Sequence, residues 1–268
     1  MYNAQAFPWD YIGRTLKIAS TPVNSNLAWR EAVRIDIVGK MPTSSSMNPF
    51  LGPAAIGLMV VLAVVCTLSG IDTLAIGLFC HEGLPGDLKK LISLFEIFGH
   101  GTGVVVVALL VRVLDPDGVR RSITVLASGF LAGLAVICLK PFFIRIRPSM
   151  LEELVGGATP RESMVGFQWW GNFSSDSVDA SHGFFHDALH SFPSGHTATA
   201  CALAWCLSRM YPNGRFVFWG FATMVAAQRL FAQAHYLSDT IAGAMVGVLV
   251  AILINKYRVR SAGATTSG

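Results

Sequence analysis

Charge is scarce in this chain, and the scarcity is uneven. Asp, Glu, Lys and Arg make up 13% of 268 residues while hydrophobic residues make up 53%, a balance that argues against a soluble globular domain and points to a membrane protein. Residues 41–71 and 122–139 hold no charged residue at all. Runs of that kind satisfy a membrane span, which needs about 20 mostly apolar residues. Absent too is any C-x-x-C pair among Cys66, Cys80, Cys138, Cys201 and Cys206, which leaves neither a zinc ribbon nor a disulfide framework. These cysteines read as small packing residues. Residues 1–40 mix charged and polar positions where a signal peptide would need an apolar run, so none is expected. The segment 1–49 is read as a cytoplasmic tail, loosely ordered or carrying an interfacial helix built on Trp9, Tyr11, Ile12 and Leu16. A net charge of +4 is modest, and no nucleic-acid partner is expected.

What is present is a series of apolar runs. They predict an all-α fold, a six-helix transmembrane bundle with helices at roughly 50–70, 92–114, 122–140, 196–211, 215–233 and 238–255. Residues 72–90 are too charged to span and are placed at the interface. Gly129 with Gly133, and Gly243 with Gly247, form small-x-x-x-small pairs that let helices approach closely. Packing within one bundle accounts for them, with a homodimer as the alternative. Six spans put both termini on one side, and thirteen of the twenty Lys and Arg residues then fall on that side. The positive-inside rule makes it the cytoplasmic one. A membrane domain at 50–255 and a disordered cytoplasmic tail at 256–268 complete the expected layout.

Three segments carry chemistry. The first is Phe192-Pro193-Ser194-Gly195-His196-Thr197, a helix start that offers a hydroxyl, bare backbone and an imidazole; helix N-termini favour bound phosphate. Cations lie on either side of it in sequence: Lys140 and Arg147 upstream, Arg229 and His235 downstream. The second segment, 140–148, puts Lys140, Arg145 and Arg147 at the outer end of a span. Charges there either snorkel to the interface or bind something. For Arg145, between Ile144 and Ile146, interfacial anchoring is the preferred reading. The third segment, 229–239, spaces His235 and Asp239 by four, so that the carboxylate can hold one ring nitrogen and leave the other free to attack. Arg229 is six residues before His235 and would face elsewhere on a continuous helix. The chain is therefore expected to break between them.

Taken together the segments resemble the signature of the type-2 phosphatidic acid phosphatase family, to which glucose-6-phosphatase and the vanadium haloperoxidases also belong. Its elements appear as K-x6-R-P (Lys140, Arg147, Pro148), P-S-G-H (Pro193 to His196) and S-R-x5-H-x3-D (Arg229, His235, Asp239), with Gln228 standing where the family has Ser. The resemblance spans roughly residues 50–255. It implies a metal-independent phosphatase with no cofactor, acting on a phospholipid or isoprenoid phosphate, and the split of Lys and Arg puts its site, between helices 3–6, on the outer face of the membrane. In that reading Lys140, Arg147, Arg229, Ser194 and Gly195 bind the phosphate, His235 is the nucleophile oriented by Asp239, and His196 protonates the leaving oxygen and then activates water.

Rival readings explain less. A serine triad of Ser194, His235 and Asp239 leaves the cations unused, and no G-x-S-x-G is present. A transporter does not account for a His-Asp pair beside P-S-G-H. A lipid phosphotransferase using the same phosphohistidine is the nearer alternative. Phosphatidic acid, phosphatidylglycerophosphate, undecaprenyl diphosphate and lipid A phosphates all suit a cationic site at the interface. The loop 149–191 is expected to set specificity, with Trp169, Trp170, Phe173, Phe184 and Phe185 at the lipid interface. His182, His186 and His190 recur at a spacing of four and are read as a polar helical face rather than a metal site.

Overall fold

The computed structural model of the chain describes residues 51–79, 85–150, 168–169 and 189–264, all of them within the unit Pro49–Gly268. The expected N-terminal tail and most of the outer loop, with His182 and His186, lie outside the described residues. The described chain is mostly helical. Helix α1 (Leu51–Leu68) and helix α2 (Ile71–Leu78) meet at Gly70, whose φ of 75° is left-handed, a conformation glycine adopts without a Cβ penalty. Helix α3 (Gly86–Leu94) runs through a 3-10 turn, Phe95–Gly99, into helix α4 (Gly101–Leu114). Helix α5 (Gly118–Leu139) leads to a 3-10 turn at Lys140–Phe142 and a short strand β1 (Phe143–Ile144), paired antiparallel with β2 (Gln168–Trp169). Helices α6 (Gly195–Met210), α7 (Arg215–Phe231) and α8 (Leu237–Ala264) follow.

Helix α6 is the centre of the packing, with α5, α7 and α8 against it. Its small residues explain the closeness. Ala198, Ala200, Ala202, Leu203 and Ala204 are fully buried, and α8 lies so near that a Cβ on Gly243 would sit 2.3 Å from the Ser194 carbonyl and one on Gly247 2.0 Å from that of Ala198. Gly129 of α5 is likewise pressed on Val104 of α4, 2.7 Å from where its Cβ would be. Both small-residue pairs therefore have contacts within the bundle. On the outside, Leu58, Leu109, Val113, Ile137 and Phe216 are exposed, an apolar surface that suits lipid.

The expected run of six spans is matched only in part by helix length and composition. Among the described residues two segments are long and apolar enough to cross a membrane, Gly118–Phe142 and Leu237–Tyr257, and four are if each of two bent helix pairs counts as one. Helices α6 and α7, with 16 and 17 residues, are about 24 and 26 Å long, short of a hydrocarbon layer of about 30 Å. The bends reach 82° between α1 and α2 and 69° at His100, so the helix expected at 92–114 is two pieces. Two close approaches account for it, one between distant segments and one within the turn: a Cβ at Gly99 would lie 2.7 Å from the His196 carbonyl and one at Gly103 1.8 Å from that of Ile97. The glycines let the chain turn sharply against the start of α6.

Candidate active site

Main-chain hydrogen bonds bring the three sequence segments together. The Arg145 N–H donates to the Leu189 carbonyl at 2.8 Å and the Ser191 N–H to the Arg145 carbonyl at 2.9 Å, so the chain after α5 runs beside the approach to α6. Ser149 N–H donates to the Gln233 carbonyl at 2.9 Å, docking the residues after Arg147 on the α7–α8 junction. The Ser194 N–H donates to the Asp239 carbonyl at 3.0 Å. The break expected after Arg229 is present. Arg229 is in the last turn of α7, Gln233 takes φ 51°, and His235 stands just before α8.

At the start of α6, Ser194 is fully buried and caps the helix. Its Oγ accepts from the Thr197 N–H at 3.5 Å and lies 2.9 Å from the Thr197 hydroxyl. With the Ser194 amide committed to Asp239, the donors that this helix end can offer an anion begin at Gly195 rather than Ser194. His196 follows on the first turn, its Nε2 3.5 Å from Glu96 Oε1.

His235 is held differently from the sequence expectation. Its Nδ1 lies 2.6 Å from the Ser191 carbonyl, an acceptor only, so Nδ1 carries the proton and Nε2 keeps its lone pair. Asp239 Oδ2 is 3.8 Å from Nδ1, too far for a hydrogen bond but near enough to act through its charge. That oxygen instead accepts from Ser191 Oγ at 2.5 Å and from the Tyr236 N–H at 2.9 Å. A residue two positions before P-S-G-H thus holds both members of the His-Asp pair. Burial pushes the His235 imidazole below its ordinary value. Asp239 pulls against that shift, while Arg147 and Lys140 add to it.

Of the three cations named from sequence, Lys140 and Arg147 are half-buried and Arg229 is buried. The charge of Arg147 is felt at both Arg229 and His235, and that of Lys140 at His235. Arg229 Nη2 pairs with Glu96 at 2.8 Å. Gln228, where the resembled family has Ser, accepts from Arg229 Nε and donates to Glu96 Oε2 at 3.2 Å. A cleft of about 290 Å³ lined by Lys89, Lys90, Ile92, Ser93 and Gln228 opens next to this group.

Arg145 does not anchor the interface. It is 1% exposed, and its guanidinium bridges two buried carboxylates, Asp72 through Nη2 at 2.7 Å and Asp239 through Nη1. Nor is Asp72 an interfacial residue, as residues 72–90 were expected to be. It is fully buried and accepts from the Ser238 N–H at 2.9 Å and the Ser238 hydroxyl at 2.5 Å. Sequence reading missed Glu96, Ser191 and the role of Asp72. A lone acid in an otherwise apolar run was the available signal, because such residues are costly unless paired. His190 is buried beside Arg145, and among the described residues no group of three or more His, Cys, Asp or Glu is arranged to hold a metal ion.

Comparison with known proteins gives a consistent result. The family model for the PAP2 superfamily matches residues 121–262, which contain every residue named for the site in the three motifs. The chain is similar to a lipid A 1-phosphatase of Rhizobium johnstonii, 27% identical over 169 residues, 63% of this chain and 67% of that one. It is similar also to a lipid A 4'-phosphatase of Porphyromonas gingivalis, 27% identical over 119 residues, 44% of this chain and 42% of that one. Among solved structures, the crystal structure of the first transmembrane PAP2-type phosphatidylglycerolphosphate phosphatase from Bacillus subtilis matches with a TM-score of 0.50 at 15% identity, covering 78% of this chain and 96% of that one. At that identity the likeness speaks for the fold alone.

Proposed function

Because the chain belongs to the PAP2 superfamily, we propose that it is a membrane lipid phosphatase that works through a phosphohistidine on His235. The observation that carries this reading is the pairing of a buried His235, held with its Nε2 lone pair free, with two cations whose charge reaches it. In the first step Nε2 attacks phosphorus, the bond from phosphorus to the lipid oxygen breaks, and His196 gives its proton to that oxygen. In the second, water attacks the phosphohistidine, His196 takes the proton, and the N–P electron pair returns to Nε2. Lys140, Arg147 and Arg229, with the Gly195 amide, hold the phosphate oxygens as negative charge builds up. Ser194 supports them by capping α6 rather than through its own amide.

Arg229 is paired with Glu96 at 2.8 Å, so in this reading a phosphate held by Arg229 competes with that carboxylate for the guanidinium. Among the lipids that suit the site, a lipid A phosphate is the first to assay, since relatives matched over more than half of this chain or nearly so carry that activity in their names. Phosphate release from lipid A, phosphatidic acid, phosphatidylglycerophosphate and undecaprenyl diphosphate, measured with purified protein in detergent, tests the proposal. Turnover of one or more supports it, and no release from any of the four counts against it. Placing the site on the outer face, within six crossings and both termini cytoplasmic, belongs to the same proposal.

A further inference from the structure

Arg145 sits at a position that the K-x6-R-P pattern leaves open, yet it is among the largest fully buried side chains of the protein. A guanidinium removed from water is costly unless its donors are all paired. Here the pairing is directed at the reacting histidine. Nη1 donates to Asp239 Oδ1 and, at 2.7 Å, to Ser238 Oγ; Nη2 donates to Asp72 Oδ2; and the Tyr236 ring faces the guanidinium at 3.9 Å. Asp239 is thereby gripped on both oxygens, by Arg145 on one and by Ser191 and the Tyr236 N–H on the other. The Arg145 carbonyl, in turn, accepts from the N–H of Ser191, whose own carbonyl holds His235.

We propose that Arg145 is a positioning residue for the His235–Asp239 pair, with the remote Asp72 as its counter-ion. Its fork fixes the direction of the Asp239 carboxylate, so the negative charge meets the imidazolium-like ring that forms when His235 takes the phosphoryl group. Two carboxylates and one guanidinium leave the buried group one negative charge, which that ring balances. Asp72 keeps the fork from turning away. The bend between α1 and α2, at whose foot Asp72 lies, thus reaches the chemistry through an ion pair that spans 73 residues of sequence. Lysine cannot replace this arginine, because a single ammonium has no planar fork to join both acids.

The inference rests on the phosphatase reading, and its test separates the two. Initial rates on a phosphate lipid, and phosphoenzyme formation from nitrophenyl phosphate, are measured for the full chain in detergent. The variants are Arg145→Lys and the charge-balanced Arg145→Met/Asp72→Asn, each made also on an Asp239→Asn background. With Asp239 present, kcat is expected to fall about 100-fold in the charge-balanced pair and about 10-fold in Arg145→Lys, with KM within about three-fold. On the Asp239→Asn background the same changes cost less than about three-fold, since Arg145 acts through Asp239. Arg145→Lys keeps the buried charge, so it reports even if the other variant fails to fold. Equal losses on the two backgrounds, a rise in KM alone, or a charge-balanced pair as active as the wild type would overturn the proposal while leaving the phosphatase reading in place. A wild type that neither turns over nor forms a phosphoenzyme overturns both.

Discussion

His235 can attack phosphorus only as a neutral ring, and its surroundings favour that form. Burial lowers its pKa from the ordinary histidine value, and Arg147 and Lys140 push the same way against Asp239. Lowering the pH through the folded pKa protonates Nε2 and removes the proposed nucleophile, so the acid limb of kcat/KM is expected below about pH 6.5. Stability shifts in the same direction. The unfolded chain binds the proton first, and the contribution of a neutral His235 is lost as the pH falls from about 6.5 toward the folded value. A limb centred near pH 7 or higher would contradict the assignment. The motif residues were legible because their spacing is local: Lys140 to Arg147, and His235 to Asp239. Arg145 was not, because its meaning lies in Asp72 and Asp239, 73 and 94 residues away, and its apolar neighbours in sequence suggested the membrane rim.

Helices α6 and α8 are joined where the site is made, and glycine sets their distance. A Cβ at Gly243 would stand 2.3 Å from the Ser194 carbonyl and 3.2 Å from its carbon, so backbone must move. Gly243→Ala is therefore expected to destabilise the protein by about 1–3 kcal/mol, the usual range for overpacking, and to lower activity by displacing the Ser194 cap and its bond to the Asp239 carbonyl. Gly220→Ala is the control. Nothing lies within 4 Å of its Cβ position, and replacing a mid-helix glycine should stabilise by up to about 1 kcal/mol. Thermal melts in detergent with phosphate-release rates would check both, and equal behaviour of the two variants would refute the argument. Hydropathy located the helices but not their breaks. The turn at His100 depends on Gly99 fitting under the His196 carbonyl, a contact between segments nearly a hundred residues apart that leaves no mark on a local apolar pattern. The break after Arg229 was readable because one continuous helix could not aim both Arg229 and His235 at one site.

At the scale of the molecule, the apolar exterior of the described helices suits a membrane, and the uneven distribution of Lys and Arg is the ground for proposing that the site faces outward. In a background without native cysteines, a cysteine at position 174 in place of Ser174 should react with an impermeant thiol reagent on intact cells, and one replacing Ser261 should not. The reverse pattern would put the site in the cytoplasm. Above both stands the proposed phosphohistidine, which would join the fold, the cations and the two histidines in one reaction. It is measured most directly by quenching purified protein, held in EDTA, against a radiolabelled nitrophenyl phosphate and testing the bound label in acid and base. Since this leaving group needs no protonation, His196→Ala should accumulate an acid-labile, base-stable phosphoenzyme and hydrolyse it slowly, and His235→Ala should form none. Label retained by His235→Ala and absent from His196→Ala, or label that forms only when a divalent metal is restored, would contradict the account.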